Sequence, residues 1–215
     1  MDAKTVKEAL KKAKEQGKKR NFSQTFDLVI TLQNLDLKKP EQQLDTFITL
    51  THSKGKDTKI CALVGPELKD EAEKVCDKTI MADDFEKIDK KQAKKLAEDY
   101  AFFIAQANIM GKVASVFGKV LGPRNKMPNP KAGCVVPPKA NLKPVYEKLQ
   151  KTLRLSAKTA LMVQCIAGSE SMTDDDVADN IMNIYKHLTN TLPSHENNIK
   201  SMFVKVSMGK PVKLM

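Results

Sequence analysis

The spacing of apolar residues changes period twice along the chain, and that double change limits the fold more than any single motif. A helix is predicted over residues 4–19, with Val6, Ala9, Leu10 and Ala13 on one face. Runs rich in apolar and β-branched residues then read as strands at Phe26–Leu32, Thr46–Leu50 and Lys59–Val64, the last ending at Gly65–Pro66. From Pro66 the pattern alternates: helix 66–76, strand 78–82, helix 90–98, strand 100–105, helix 106–118, and a long loop. A further helix follows at Lys139–Thr152, with Leu142, Val145, Tyr146 and Leu149 at the spacing of a buried stripe. After Arg154 the first rhythm returns, with a strand at Thr159–Ile166 and another at Lys200–Ser207. Between them Thr173 and Asp176 match a helix-start capping pattern, followed by the stripe Val177, Ile181, Ile184, Tyr185 and Leu188. Strand–helix alternation implies a parallel sheet covered by helices. The order therefore predicts a split α+β domain made by residues 1–65 and 157–215, interrupted by an inserted α/β domain at 66–156.

Charge narrows the class of partner. The 215 residues carry 37 Lys and Arg against 26 Asp and Glu, a net charge of +11. Residues 1–65 contribute +5, 66–156 contribute +6, and 157–215 are neutral. Within the middle block, Glu67–Asp99 holds 11 acidic and 8 basic residues, whereas Lys112–Arg154 holds 10 basic residues opposed only by Glu147. Such a concentration repels itself unless it faces a polyanion. Aromatics are only 5% with no Trp, too few for the stacking platforms of single-strand binders. A folded, phosphate-dense nucleic acid is the better expectation. The longest apolar run is the six residues Tyr100–Ala105, well short of a membrane-spanning helix, so no membrane partner is expected. The opening stretch MDAKTVKEALKKAKEQ lacks the apolar core of a signal peptide, and an intracellular chain is expected.

Metal and enzyme chemistry find little support. Cys61, Cys76, Cys134 and Cys165 lie 15, 58 and 31 residues apart, without the paired spacing of zinc ligands. His52, His187 and His195 show no ligand spacing either, so no metal or cofactor is expected and the thiols read as small apolar filler. Gly111 and Gly118–Lys119 resemble a phosphate loop only superficially. The glycines are seven apart instead of five, and Val120 stands where Ser or Thr is required. Carboxylates at Asp83–Asp84 and Asp174–Asp176 fall at helix starts, where capping is their usual role. A non-enzymatic protein is expected.

The most unusual stretch is Leu121-Gly-Pro-Arg-Asn-Lys-Met-Pro-Asn-Pro-Lys131, with three prolines, one glycine and two asparagines in eleven residues. It reads as a rigid loop displaying Arg124, Lys126 and Lys131. Together with Lys19-Arg-Asn-Phe-Ser-Gln-Thr25, Asp179-Asn180-Ile181 and Ser207-Met-Gly-Lys-Pro211, this loop makes the chain resemble the ribosomal protein L-one family of the large subunit, in its archaeal-type form. The resemblance runs through essentially the whole chain. It implies the split α+β domain with a Rossmann-like, three-layer α/β insert. It also implies binding of a folded junction in large-subunit rRNA, a place in the mobile stalk near the tRNA exit site, and assistance in release of deacylated tRNA. Repression of translation through the protein's own mRNA follows for many members, as does a cytoplasmic, ribosome-associated location among other ribosomal components.

By the same resemblance the RNA face falls on Phe22, Thr25, Gly168, Ser201, Ser207, Met208 and Gly209. Hydroxyls and backbone groups suit 2′-OH and phosphate oxygens, and glycine allows close backbone approach. Lys54, Lys56, Arg124, Lys126, Lys131, Lys205 and Lys210 are the expected secondary basic contacts. Two departures stand out. Ser169 replaces a family lysine, and Asn125 replaces a usual glycine at a turn where Asn tolerates left-handed backbone. The rival expectation is a small-molecule or nucleotide-binding protein using the middle domain.

Overall fold

The computed structural model describes residues 2–18 and 20–215. In chain order its elements are α1 (Ala3–Gln16), β1 (Thr25–Leu32), β2 (Leu44–Thr49), β3 (Ile60–Val64), α2 (Lys69–Val75), β4 (Lys78–Met81), α3 (Lys90–Asp99) and β5 (Phe102–Gln106). They continue with α4 (Met110–Leu121), β6 (Val135–Val136), α5 (Leu142–Lys151), β7 (Thr152–Ala157), β8 (Met162–Ser169), α6 (Asp174–Thr191), β9 (Ile199–Val206) and β10 (Val212–Lys213). The chain divides into two compact units, one made of the residues up to Lys56 with Lys151–Met215, the other of Asp57–Gln150.

The first unit is antiparallel. Its main sheet has the order β10-β9-β1-β8, and β2 pairs with β7 in a separate ribbon. Burial along β1 alternates strictly, so Phe26, Leu28, Ile30 and Leu32 point into one core while Thr25, Asp27, Val29 and Thr31 face outward. Val6, Leu10 and Ala13 of α1 and Val177, Ile181, Ile184 and Leu188 of α6 belong to that same core. Each of these fully buried Val, Leu and Ile side chains contributes roughly 1.5–3 kcal/mol. The predicted cap at the start of α6 is present, with the Thr173 side chain accepting from the Asp176 N–H at 3.2 Å. Asp174 and Asp175, next in line, pair with Lys14 and Lys7 of α1, which fastens the two helices together.

The second unit is parallel, with strand order β4-β3-β5-β6. All five residues of β3 are buried, as expected of a strand covered on both faces. Cys61 and Leu63 join a cluster with Ala93, Leu96, Val113 and Phe117 of α3 and α4, where Phe85 meets Phe117 edge-on at 5.3 Å. Ile60, Ala62 and Val64, on the alternate face, are equally buried, as are Leu68, Ala72, Leu142 and Leu149.

The observed division sits several residues from the expected one. β3 was placed with the terminal domain, but it pairs in parallel with β4 and β5 and so belongs to the insert. Conversely, the residues after Lys151 leave the insert as β7, which pairs with β2 in the first unit. The expected strand at Thr159–Ile166 runs instead from Met162 to Ser169, because residues 158–161 form the turn out of β7. β6, β7 and β10 have no counterpart among the expected strands.

Candidate nucleic-acid interface

Register brings one set of strand ends together. Thr25 opens β1 opposite Ser169 at the end of β8, and Phe26 lies opposite Val206 at the end of β9. Thr25 and Ser207, 182 residues apart in sequence, therefore meet, with their hydroxyls 2.8 Å apart. The Ser207 N–H donates to the Thr25 carbonyl at 3.0 Å, and the Thr25 hydroxyl also lies 3.3 Å from the Asp27 carboxylate. A second hydroxyl chain adjoins, in which Ser169 stands 2.9 Å from Ser23 and 3.1 Å from Ser171. Ser169 thus supplies the central link of a hydroxyl network.

Two buried amides hold this surface in shape. Gln24 is 2% exposed; its amide donates to the Lys18 carbonyl and its oxygen accepts from the Met208 N–H. It ties the segment before β1 to the turn after β9. Asn180, fully buried on α6, acts at β8. The ladder between β1 and β8 pairs Phe26 with Gly168 and Asp27 with Ile166, leaving Ala167 as a bulge. The Asn180 amide donates to the Ala167 carbonyl at 2.9 Å, while its oxygen accepts from the His52 N–H at 3.0 Å. One side chain therefore supports both the bulge and the loop crossing over it. That loop needs glycine at Gly55, where φ is +75° and an added Cβ would lie 2.2 Å from the Cβ of Ser169.

The expected contact residues fall into different situations. Phe22 and Met208 are 56% and 61% exposed, both large apolar side chains left on the surface. Ser201 is half-buried on the outward side of β9, in line with Phe203 and Lys205. Gly209 closes a turn, its N–H donating to the Val206 carbonyl at 2.7 Å. An added Cβ there meets Val206 at an ordinary 3.4 Å, so the protein's own packing does not demand glycine. Gly168 is different: an added Cβ would stand 2.9 Å from Val177, so this glycine serves the packing of α6 on β8. Lys205, opposite Asp27, borders a concavity of about 380 Å³ on the outward sheet face with Val29, Gln164 and Ile166. Lys19, within the first resemblance segment, lies outside the described residues.

Among the basic residues, Lys56, Lys131 and Lys210 are exposed. Lys54 is a correction. It is only 5% exposed and its ammonium donates to the Thr152 carbonyl at 2.9 Å, with burial pulling its pKa down to about 8. Its neighbours Ser53, Gly55 and Lys56 stay exposed, while the Lys54 side chain turns inward to reach the start of β7. In the proline-rich loop, Asn125 takes the left-handed conformation, with φ of 56°. Lys126 reaches back to the carbonyls of Ala97 and Tyr100 at 2.6 and 2.9 Å, closing the end of α3. Arg124 pairs with Glu98 at 2.8 Å. The loop's charge is thus partly engaged in fastening it to α3.

Elsewhere the chemistry is quiet. Among the described residues no group of three or more His, Cys, Asp or Glu is placed to hold a metal ion, and no helix is long and apolar enough to cross a membrane. Burial pushes the thiols of Cys61 and Cys165 up to about 12, so both stay protonated. In the parallel unit, the crevice between the ends of β3 and β5 is where such sheets usually bind ligands. It is occupied by the fully buried Gln106, whose oxygen accepts from the Gly65 N–H at 2.8 Å and whose amide donates to Glu67 at 3.1 Å. A carboxylate there opposes a nucleotide phosphate.

A split antiparallel unit with a candidate polar binding surface, and a parallel α/β unit inserted between its halves in sequence, define the class of two-unit protein to which this chain belongs. The family model described as the ribosomal protein L1p/L10e family matches residues 10–210, and the chain belongs to that family. It is 39% identical over 216 residues to the large ribosomal subunit protein uL1 of Pyrococcus abyssi, covering 99% of this chain and 96% of the relative. It is 41% identical over 213 residues to that of Methanobrevibacter smithii, covering 98% of each. It is 40% identical over 210 residues to that of Nanoarchaeum equitans, covering 96% of this chain and 97% of the relative.

Proposed function

We propose that this protein is a component of the large ribosomal subunit that binds a folded rRNA junction through the sheet end where β1, β8 and β9 meet. The observation that carries the reading is the exposure of Phe22 and Met208 beside a hydroxyl network already ordered by Gln24 and Asn180. Exposed apolar side chains can pack against sugars and bases, and fixed hydroxyls offer donors and acceptors for 2′-OH groups. Gly209 leaves room for a backbone approach that the protein's own packing does not need. Lys56, Lys205 and Lys210 supply the salt-sensitive attraction on the same unit. Placement in the mobile stalk near the tRNA exit site, help in releasing deacylated tRNA, and repression of the protein's own mRNA by a mimic of the same junction complete the reading. They rest on the family resemblance. Ribosome association in the cytoplasm goes with them.

The test is a titration of the full chain with the rRNA junction fragment at fixed salt. Ser207→Ala and Met208→Ala should each weaken binding about 5- to 30-fold, in line with the loss of one or two contacts of about 1 kcal/mol. Circular dichroism of each variant checks that the sheet end remains folded. Lys205→Ala and Lys210→Ala should instead lower the salt slope by about 0.7–0.9 per lost phosphate contact. Full affinity in folded Ser207→Ala and Met208→Ala variants would remove this face as the binding site.

A further inference from the structure

The Asp57–Gln150 unit carries a groove that RNA binding by the other unit leaves unused. Its volume is about 490 Å³, and it lies between β4 and one face of α3. β4 ends the sheet and pairs only with β3, so its outer backbone groups have no ladder partner among the described residues. Such an edge is a template for another strand. The groove's floor is aliphatic: Ile80 of β4 and Leu96 of α3 are 6% and 7% exposed, with Ile88 and Tyr100 beside them. Its rim is polar. Gln92, Lys95 and Asp99 follow α3 at helical spacing, and Lys78 stands at the start of β4.

We propose that this groove docks an extended segment of another protein as a strand added to β4, with an aliphatic side chain on Ile80 and Leu96 and acidic side chains toward Lys78 and Lys95. Main-chain hydrogen bonds to the open edge give affinity in this mode, and alternate side chains give specificity. Charge selects the occupant. Two rim ammonium groups face one carboxylate, which favours an acidic partner at short range. A nucleic acid is disfavoured, because the aliphatic floor and the open strand edge offer apolar and main-chain contacts that suit a peptide and not a phosphate backbone.

The experiment uses the isotope-labelled full chain and three probes: an eight-residue peptide alternating Asp and Val, the same peptide with Lys for Asp, and a uridine oligonucleotide. The acidic peptide is expected to shift the backbone amides of residues 78–81 and 92–100 and to bind about tenfold more tightly than the basic one. In the Lys78→Glu/Lys95→Glu variant that preference should reverse; both lysines are exposed, and an otherwise unchanged spectrum confirms folding. Absence of shifts along β4, an order of preference unmoved by the charge reversal, or equal shifts with the oligonucleotide would each overturn the proposal. None of these outcomes bears on the RNA face, which is read through Ser207 and Met208.

Discussion

Asn180→Ala should show how far the RNA face depends on one buried amide. In the native protein the Asn180 side chain accepts from His52 N–H at 3.0 Å, donates to Ala167 O at 2.9 Å, and reaches Ser53 O at 3.4 Å. Alanine leaves the buried Ala167 carbonyl and the part-buried His52 N–H without this amide. Each abandoned group costs about 1–3 kcal/mol, and the weak third contact adds little, so a loss of about 3 kcal/mol is expected. The loss is also local. Ala167 is the bulge of β8, so its carbonyl loses its partner immediately before Gly168 and Ser169. The loop held through His52 and Ser53 loses its anchor at the same time. Urea unfolding followed by a probe in the first unit measures the stability, and titration with the rRNA fragment measures the face. Asn180→Asp, nearly isosteric, keeps the acceptor for His52 but sets a carboxylate against the Ala167 carbonyl, and should be no better than alanine. A loss below about 0.5 kcal/mol in Asn180→Ala, with unchanged RNA affinity, would refute the view that this amide shapes the bulge.

Two further outcomes test the charged residues. Lys126→Met should destabilise the Asp57–Gln150 unit by about 1–2 kcal/mol, because two carbonyls at the end of α3 lose their donor, while RNA affinity and its salt slope stay unchanged. The Arg154 guanidinium, through its hydrogen bonds, holds the Asp45 carboxyl down to about 2 against a partial burial penalty, with Lys158 assisting. A depressed carboxylate stabilises the fold above its unfolded pKa and loses that contribution as pH falls through the folded one. Asp45→Asn should therefore cost about 1 kcal/mol at neutral pH, after allowance for solvent screening, and the gap should close between about pH 4 and pH 2 in paired denaturation curves.

Asn180 also shows what a sequence can and cannot reveal. It falls at the i+3 position of the stripe Val177, Ile181, Ile184, so a lone amide on an apolar face was visible, and a polar residue there must find partners inside. Its partners were not visible, since His52 lies 128 residues away and the bulge exists only in the assembled ladder. The same distance hid the hydroxyl network, which joins Ser23 to Ser169 across 146 residues. β3 was legible as a strand but not as a member of the insert, because five apolar residues suit either unit and only parallel pairing decides. The cap at Thr173 and the left-handed Asn125 were legible, because backbone chemistry confined to a few residues dictates them. Lys54 misled for the opposite reason: a lysine among polar residues predicts exposure, and its burial follows from the reach of its side chain to the Thr152 carbonyl, 98 residues away.

These placements separate attraction from fit more sharply than net charge does. Lys54 and Lys126 spend their ammonium groups on carbonyls, and Arg124 spends its guanidinium on Glu98, so part of the +11 charge supports the fold. On the proposed function, the exposed lysines of the first unit draw RNA from a distance, but phosphate attraction carries no sequence information. Discrimination between folded RNAs must then come from groups whose positions are fixed before binding. Gln24 and Asn180 do that fixing from inside, through neutral hydrogen bonds that salt does not screen. Perturbing either amide should lower affinity at every salt concentration and leave the slope intact. Removing a surface lysine should instead flatten the slope and lower affinity mainly at low salt, because ion release and shape are set by different residues.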